Sequence, residues 1–230
     1  EAHVARVADP AGGSWYVERY TEDLAHAAWD WFTTIEQGGG LAAGLGSGLI
    51  ADRLAATWAK RAADIAHRRN PITGVSEFPT LDEQLPRRAP AAMPPSGGLP
   101  RRRHAEAFER LRDRSDAHLA ATGRRPTVFL ATLGSPGARL SFVTNLFAAG
   151  GIAVVTGEYT GDTPVACLCG PDREYAERAT GTAAALRAAG ATRVLLAGRG
   201  DFAGVDDYAY TGGDAVALLT ATLADLGVPQ

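Results

Sequence analysis

From Thr127 to the end of the chain, short apolar runs alternate with longer segments of helical periodicity, and this alternation limits the fold more than any other feature of the sequence. The apolar runs predict buried strands at residues 128–133, 152–156, 165–169 and 194–197. The segments around them predict helices at residues 139–149, 172–189 and 214–226. Strands and helices in this order form a parallel sheet with helices on both faces, so the predicted fold class is α/β, doubly wound, over residues 126–230.

One connection in this pattern is short. Parallel neighbouring strands need a crossover of about a dozen residues or more, whereas residues 157–164 supply only eight. Either the crossover is extended rather than helical, or residues are missing from the sequence near 157–164. Both alternatives stay open on the sequence alone.

Residues 1–85 are predicted to form a separate helical segment. The first 20 residues are expected to be irregular, with Thr21 then capping a helix that ends at the glycine triplet 38–40, and a second helix covers residues 49–69. Two amphipathic helices cannot bury both of their apolar stripes alone, so we expect this chain to be a fragment whose helices pack on something upstream. The aromatic side chains of this segment are predicted to be core or interface rather than a ligand platform: Trp15, Tyr16, Trp29, Trp31 and Phe32.

A linker separates the two predicted domains. Six of the 13 prolines fall between residues 79 and 100, and a charged helix with a thin apolar side follows at residues 101–121. Residues 86–125 are therefore assigned to a Pro/Arg-rich linker and its charged helix.

Composition excludes several classes of function. The net charge of −3 and the isoelectric point of about 6.0 argue against a nucleic-acid-binding domain, because such domains are usually strongly basic. No apolar run approaches the roughly 20 residues of a membrane-spanning helix, and no signal peptide opens the chain, so we expect a cytoplasmic protein. Cys167 and Cys169 lie two apart in one apolar run, which predicts buried structural thiols rather than a disulfide or a zinc site.

Three other patterns resemble functional sites, and none of them is assigned as a site. The glycines Gly198, Gly200 and Gly204 follow a strand, but their spacing favours a tight turn over a nucleotide-binding loop. Ser135 has no nearby histidine to act as its base. The pair Asp206-Asp207 lacks a third ligand for a divalent ion and is predicted to lie in a solvated loop.

Three stretches carry a resemblance to the adenosylcobalamin-dependent acyl-CoA mutase family. The segment Asp9-Pro-Ala-Gly-Gly-Ser-Trp-Tyr-Val-Glu18 is similar to the region after the substrate-binding barrel of these enzymes, and Arg68-Arg-Asn-Pro-Ile-Thr-Gly-Val-Ser-Glu-Phe-Pro79 is similar to the end of that region. Residues 127–230 look like the flavodoxin-like cobalamin-binding domain of the family. The resemblance implies a radical rearrangement that interconverts methylmalonyl-CoA and succinyl-CoA.

The sequence departs from the family where the corrin would be held. Members that bind cobalamin carry an Asp-x-His-x-x-Gly motif after the first strand, whose histidine becomes the lower cobalt ligand. Here the corresponding stretch is Gly134-Ser-Pro-Gly-Ala-Arg-Leu-Ser-Phe-Val-Thr-Asn145, which has neither histidine nor aspartate, and no histidine follows His118. The later contacts are changed as well, to Cys167-Leu-Cys-Gly-Pro171 and Gly198-Arg-Gly200.

This pattern of loss resembles the small subunits of bacterial two-subunit methylmalonyl-CoA mutases, and residues 138–151 resemble such a small subunit more than any cobalamin-binding relative. The resemblance implies that this chain supports a large catalytic subunit in a heterodimer, and that adenosylcobalamin lies in that partner. No catalytic, cofactor-binding or metal-binding residue is assigned to this chain. Two alternatives remain: a mutase with water below cobalt, and a flavodoxin-like module that binds a small ligand.

Overall fold

The computed structural model describes residues 6–83, 89 and 98–229. The chain falls into two compact units, Glu1–Ala59 and Lys60–Gln230. Most of the predicted linker, residues 84–88 and 90–97, lies outside the described residues, so the predicted domain limits at 85 and 125 stay predictions.

The smaller unit is helical. Helix α1 covers Trp15–Gln37, α2 covers Gly40–Gly46, and α3 covers Leu49–Ala66 and continues into the larger unit. The predicted start of α1 at Thr21 is wrong, because the helix begins directly after a turn in which Ser14 N donates to Ala11 O. Thr21 lies inside the helix, where its hydroxyl donates to Val17 O at 2.8 Å. The glycine triplet ends α1 as predicted, since Gly39 and Gly40 have φ angles of 96° and 83° that other residues rarely adopt.

The larger unit contains one five-stranded parallel sheet preceded by helix α4 (Glu106–Thr122). Its strands are β1 (Thr127–Thr132), β2 (Ala153–Val155), β3 (Val165–Cys169), β4 (Arg193–Ala197) and β5 (Asp207–Ala209), in the spatial order β2-β1-β3-β4-β5. Phe129 of β1 pairs with Val155 of β2 on one side and with Ala166 of the central strand β3 on the other. The predicted doubly wound parallel sheet is therefore confirmed.

Helices cover both faces of the sheet. Helix α5 is Ala138–Ala149, α6 is Asp172–Ala188 and α7 is Ala215–Asp225. On the α6 face, a buried cluster joins Phe129, Leu168 and Leu196 of the strands to Tyr175 and Ala179 of the helix. On the other face α5 contacts β2 and β3, and α7 packs on α4. Within the described residues, no helix has both the length and the apolar character needed to cross a membrane.

The short crossover is extended. After β2 the chain passes across β1 to reach β3 with no helix, because β2 and β3 lie on opposite sides of β1. Tyr159 packs its ring on Phe129 with 5.0 Å between ring centres, and the Thr163 hydroxyl donates to Thr127 O at 2.5 Å. Two strand spacings are only about 10 Å, so eight extended residues can span them.

Strand β5 was missed by the sequence analysis. The prediction of a solvated loop at Asp206-Asp207 is wrong, because Asp207 opens a strand that pairs with β4 through Leu195. Asp206 lies 2.6 Å from Arg187, and Asp207 lies 3.0 Å from Arg193. Both carboxylates therefore join the end of the sheet to its neighbouring helix and strand.

Candidate functional site

The natural ligand position of a doubly wound sheet is the crevice at the carboxyl ends of the strands, where successive connections leave to opposite faces. In this chain that point lies between β1 and β3, since α5 and α6 follow these strands on opposite faces. The loops that border it are Leu133–Gly137 and Gly170–Pro171.

Arg139 spans this crevice. It lies in the first turn of α5, and its guanidinium donates to Gly170 O at 2.6 Å and pairs with Asp172 Oδ1 at 2.8 Å. The guanidinium carbon also lies 5.3 Å from the centre of the Tyr175 ring. Partial burial opposes the charge, but the bonds to Asp172 and Tyr175 outweigh it, and the pKa of Arg139 is raised above its ordinary value. A permanent cation therefore joins the loops on either side of the crevice.

Tyr175 lies buried at the base of the crevice. Its buried hydroxyl accepts from Gly170 N at 2.8 Å and donates to Ala197 O at 2.7 Å, so it links the ends of β3 and β4. Burial raises the pKa of Tyr175 to about 12. Gly170 leaves no room beside it, because a Cβ there would lie 2.7 Å from Leu133 O. The N–H and the carbonyl of Gly170 and the carbonyl of Ala197 are therefore already bonded within the protein.

The two cysteines are free and buried, as predicted. Burial raises the pKa of the Cys167 thiol, and it raises the pKa of Cys169 to about 11. Thiolate is the reactive form of cysteine. At neutral pH both side chains are therefore protonated and serve as packing groups.

The other candidate patterns have structural roles or none. Gly198 leads into turns and then β5, not into a helix, so the loop lacks the helix N-terminus that a phosphate site requires. Arg199 stacks on the Tyr210 ring with 4.1 Å between guanidinium carbon and ring centre. Ser135 is exposed. Within the described residues, no group of three or more metal-binding side chains comes together.

A second feature of the larger unit is a groove of about 700 Å³ between α5, α7 and residues 67–78. Asn145 of α5 holds the near wall: its amide donates to Glu77 Oε2 at 2.6 Å, and its carbonyl oxygen accepts from Phe78 N at 2.6 Å. Glu77 also pairs with Arg68. The sequence does not predict this groove, although residues 68–79, which border it, are part of the resemblance to the acyl-CoA mutase family.

Two strained residues border the groove. Arg68 and Phe78 have φ angles of 55° and 49°, and they are the only residues other than glycine with positive φ in the described part of the chain. The Phe78 side chain is 74% exposed, although it is large and apolar. Both positions are held in place by the bonds to Asn145 and Glu77 at the ends of the segment.

The residues that border the crevice between β1 and β3 do not fit a corrin with an imidazole below cobalt. The loop after β1 offers two glycines, a serine and a proline at this point. The charged side chains beside it are Arg139, a cation that cannot ligate a metal, and the carboxylates Asp172 and Glu174, which are paired with arginines. What the arrangement does chemically is join β1, β3, β4, α5 and α6 through charge-assisted and buried hydrogen bonds.

The sheet order and the crevice define the larger unit as a flavodoxin-like, doubly wound α/β domain. A profile of the family described as methylmalonyl-CoA mutase matches residues 1–122, more than half of the chain. This chain belongs to the methylmalonyl-CoA mutase family.

Relatives extend the similarity over the whole chain. The methylmalonyl-CoA mutase small subunit of Streptomyces virginiae is 56% identical over 243 residues, covering 99% of this chain and 39% of the relative. A probable methylmalonyl-CoA mutase small subunit of Mycobacterium tuberculosis is 45% identical over 213 residues, covering 86% of this chain and 33% of the relative. The large subunit of S. virginiae is 37% identical over only 86 residues, covering 37% of this chain and 12% of that subunit. The chain thus spans about two fifths of the length of the S. virginiae small subunit, and the resemblance to small subunits is confirmed.

Proposed function

We propose that this chain is part of a non-catalytic small subunit of an adenosylcobalamin-dependent acyl-CoA mutase that interconverts methylmalonyl-CoA and succinyl-CoA. The large catalytic subunit binds the adenosylcobalamin, and the small subunit supports it in a heterodimer. The observation that carries the proposal is the crevice between β1 and β3, which Arg139 spans and which has no imidazole beside it.

Ligand chemistry supports this division of roles. A lower cobalt ligand must offer a neutral nitrogen lone pair, and a carboxylate behind it must fix the tautomer of the imidazole. In this chain the carboxylate of Asp172, at the crevice, is bonded to Arg139 instead.

The relatives support it as well. The similarity to proteins named small subunit covers nearly the whole chain, whereas the similarity to the large subunit of S. virginiae covers about a third of it.

The test is to purify the natural small subunit with its large subunit and to count corrins by absorbance. We expect one heterodimer with one corrin, and no colour retained on the small subunit alone after incubation with cobalamin and gel filtration. Two corrins per heterodimer, or stoichiometric colour on the small subunit alone, would refute the proposal and favour a mutase with water below cobalt.

The groove favours a second candidate, a small-ligand-binding role. Its volume lies within the usual range of about 300–1,000 Å³ for ligand pockets. Calorimetric titration with a CoA ester, a nucleotide and a flavin tests this candidate. Saturable heat that disappears in a Ser141→Trp variant, whose side chain would fill the groove, would support it. The absence of heat with all three would count against it.

A further inference from the structure

Helix α1 carries an apolar face with nothing packed on most of it. At about 100° of rotation per residue, Val17, Tyr20 and Leu24 lie on one side of the helix, continued by Trp31 and Ile35. The opposite side carries most of the charged residues, among them Arg19, which pairs with Asp23 at 3.2 Å, and it also carries Trp15 and Trp29. All residues from Trp15 to Asp30 are exposed, the apolar ones included.

The smaller unit does not cover this face. Among the described residues of Glu1–Ala59, only Gly44 and Ile50 are buried. Helix α1 contacts α2, and Arg53 of α3 lies over the Trp31 ring at 5.7 Å, so contacts within the unit are concentrated at the C-terminal end of α1. Toward its N-terminal end, Tyr20 and Leu24 are 56% and 53% exposed.

We propose that the exposed apolar face of α1 is a permanent docking surface for the part of the mutase polypeptide that the relatives carry and residues 1–230 lack. The length supports this occupant, because the S. virginiae small subunit matches this chain over only 39% of its own sequence. The family profile also includes α1, so the helix belongs to the conserved body of a longer protein and not to an added tail. This inference rests on family membership and is independent of where the cofactor binds.

The chemistry of the face favours a partner within the same polypeptide. Contiguous apolar surface of this kind, with several aromatic side chains, is typical of obligate interfaces that never separate. A membrane surface is disfavoured, because the polar side of α1 has one basic residue, Arg19, among several acids, and anionic lipids attract basic segments.

Single cysteines on the two sides of α1 test the inference. Leu24→Cys places a thiol on the apolar face, and His26→Cys is the matched control on the charged face, two residues away. The native Cys167 and Cys169 are buried and protonated. Maleimide labelling, located by peptide mass spectrometry, is compared between the 230-residue chain and the natural full-length small subunit.

In the 230-residue chain both thiols should label at similar rates. In the full-length subunit, purified without its large subunit, labelling of Leu24→Cys should fall by about a hundredfold or more, because access then requires local opening, while His26→Cys changes little. If Leu24→Cys disturbs folding, Tyr20→Cys serves in its place. Equal labelling of Leu24→Cys in both chains overturns the inference. So does protection that arises only on adding the large subunit, or only as protein concentration rises, since these outcomes identify a partner subunit or a second copy.

Discussion

On the scale of single residues, two side chains organise the carboxyl edge of the sheet. Arg139 joins α5 to the loop after β3, and Tyr175 joins that loop to the end of β4. Both side chains bond to backbone groups, which are present whatever the side chain of the partner residue. The hydrogen bonds that join the strand ends therefore depend on Arg139 and Tyr175 more than on their partners. The exposed pair with Asp172, whose side chain is 84% exposed, contributes little by comparison.

Replacing Arg139 by alanine should destabilise the larger unit. The guanidinium bond to Gly170 O is charge-assisted and partly buried, and losing it should cost about 1.5–3 kcal/mol. Urea unfolding monitored by circular dichroism measures the change. Arg173→Ala is the control, since Arg173 is 80% exposed and approaches only Glu174, at 4.0 Å. Equal midpoints for the two variants would show that the bridge contributes no stability.

The Cys169 thiol predicts a loss of stability at alkaline pH. Its pKa is about 11 in the folded protein and 9.0 in an unperturbed thiol, so between these values the unfolded chain has lost a proton that the folded chain retains. The free energy of unfolding therefore falls as pH rises through this window, and is unaffected below it.

A Cys169→Ala variant separates this effect from other titrations. Its urea midpoint should fall less than that of the unmodified protein between about pH 8 and about pH 10.5, because one of the linked protons is gone. Both proteins share every other titrating group, so the difference between their two falls reports Cys169 together with its effect on the pKa of its neighbours Cys167 and Tyr175. Identical falls would contradict the raised pKa.

On the scale of elements, the sequence predicted those that have their own periodicity. Strands β1 to β4 and helices α5 to α7 were found because each is a continuous apolar run or an amphipathic stretch. Strand β5 was missed because three residues beginning with an aspartate carry no such signal, and pairing with β4 creates the strand. The start of α1 was missed because aromatic and β-branched residues at 15–17 have modest helix propensity, although Val17 continues the apolar side of the helix.

The site could be predicted only in part. The loss of the histidine motif and the added charge of Arg139 are visible in the sequence. The closed crevice is not, because Arg139 meets Gly170 across 31 residues of chain, through the sheet order.

One side chain of α5 makes two hydrogen bonds to the strained segment that ends at Phe78. These bonds of Asn145 add to the Arg68–Glu77 pair and to the Thr73–Glu77 bridge within the segment. An Asn145→Ala variant should therefore release residues 72–78, with hydrogen exchange there faster by about tenfold for each 1.4 kcal/mol lost. Thr144→Ala is the control on the same helix. Unchanged exchange in Asn145→Ala would show that the segment is held by other contacts.

On the scale of the whole molecule, the two compact units differ in how much they bury. Only Gly44 and Ile50 are buried among the described residues of Glu1–Ala59, whereas every residue of β3 is buried in the larger unit. Apolar burial contributes about 25 cal/mol per Å². The smaller unit therefore has little of the stabilisation that the sheet domain has, and it should unfold at lower denaturant concentration.

The tryptophans make this difference measurable, because all four (Trp15, Trp29, Trp31 and Trp58) lie in Glu1–Ala59. Tryptophan fluorescence should thus report the smaller unit, and it should change at lower urea than the strand signal in circular dichroism.

A Tyr175→Phe variant sharpens the test. It leaves the buried Gly170 N–H and Ala197 C=O without the partner they share, at a cost of about 1–3 kcal/mol. This variant should lower the circular dichroism midpoint and leave the fluorescence midpoint unchanged, while Tyr16→Phe, at an exposed position, should move neither. Coincident transitions in the unmodified chain, or a fluorescence midpoint that follows Tyr175→Phe, would show that the two units unfold as one.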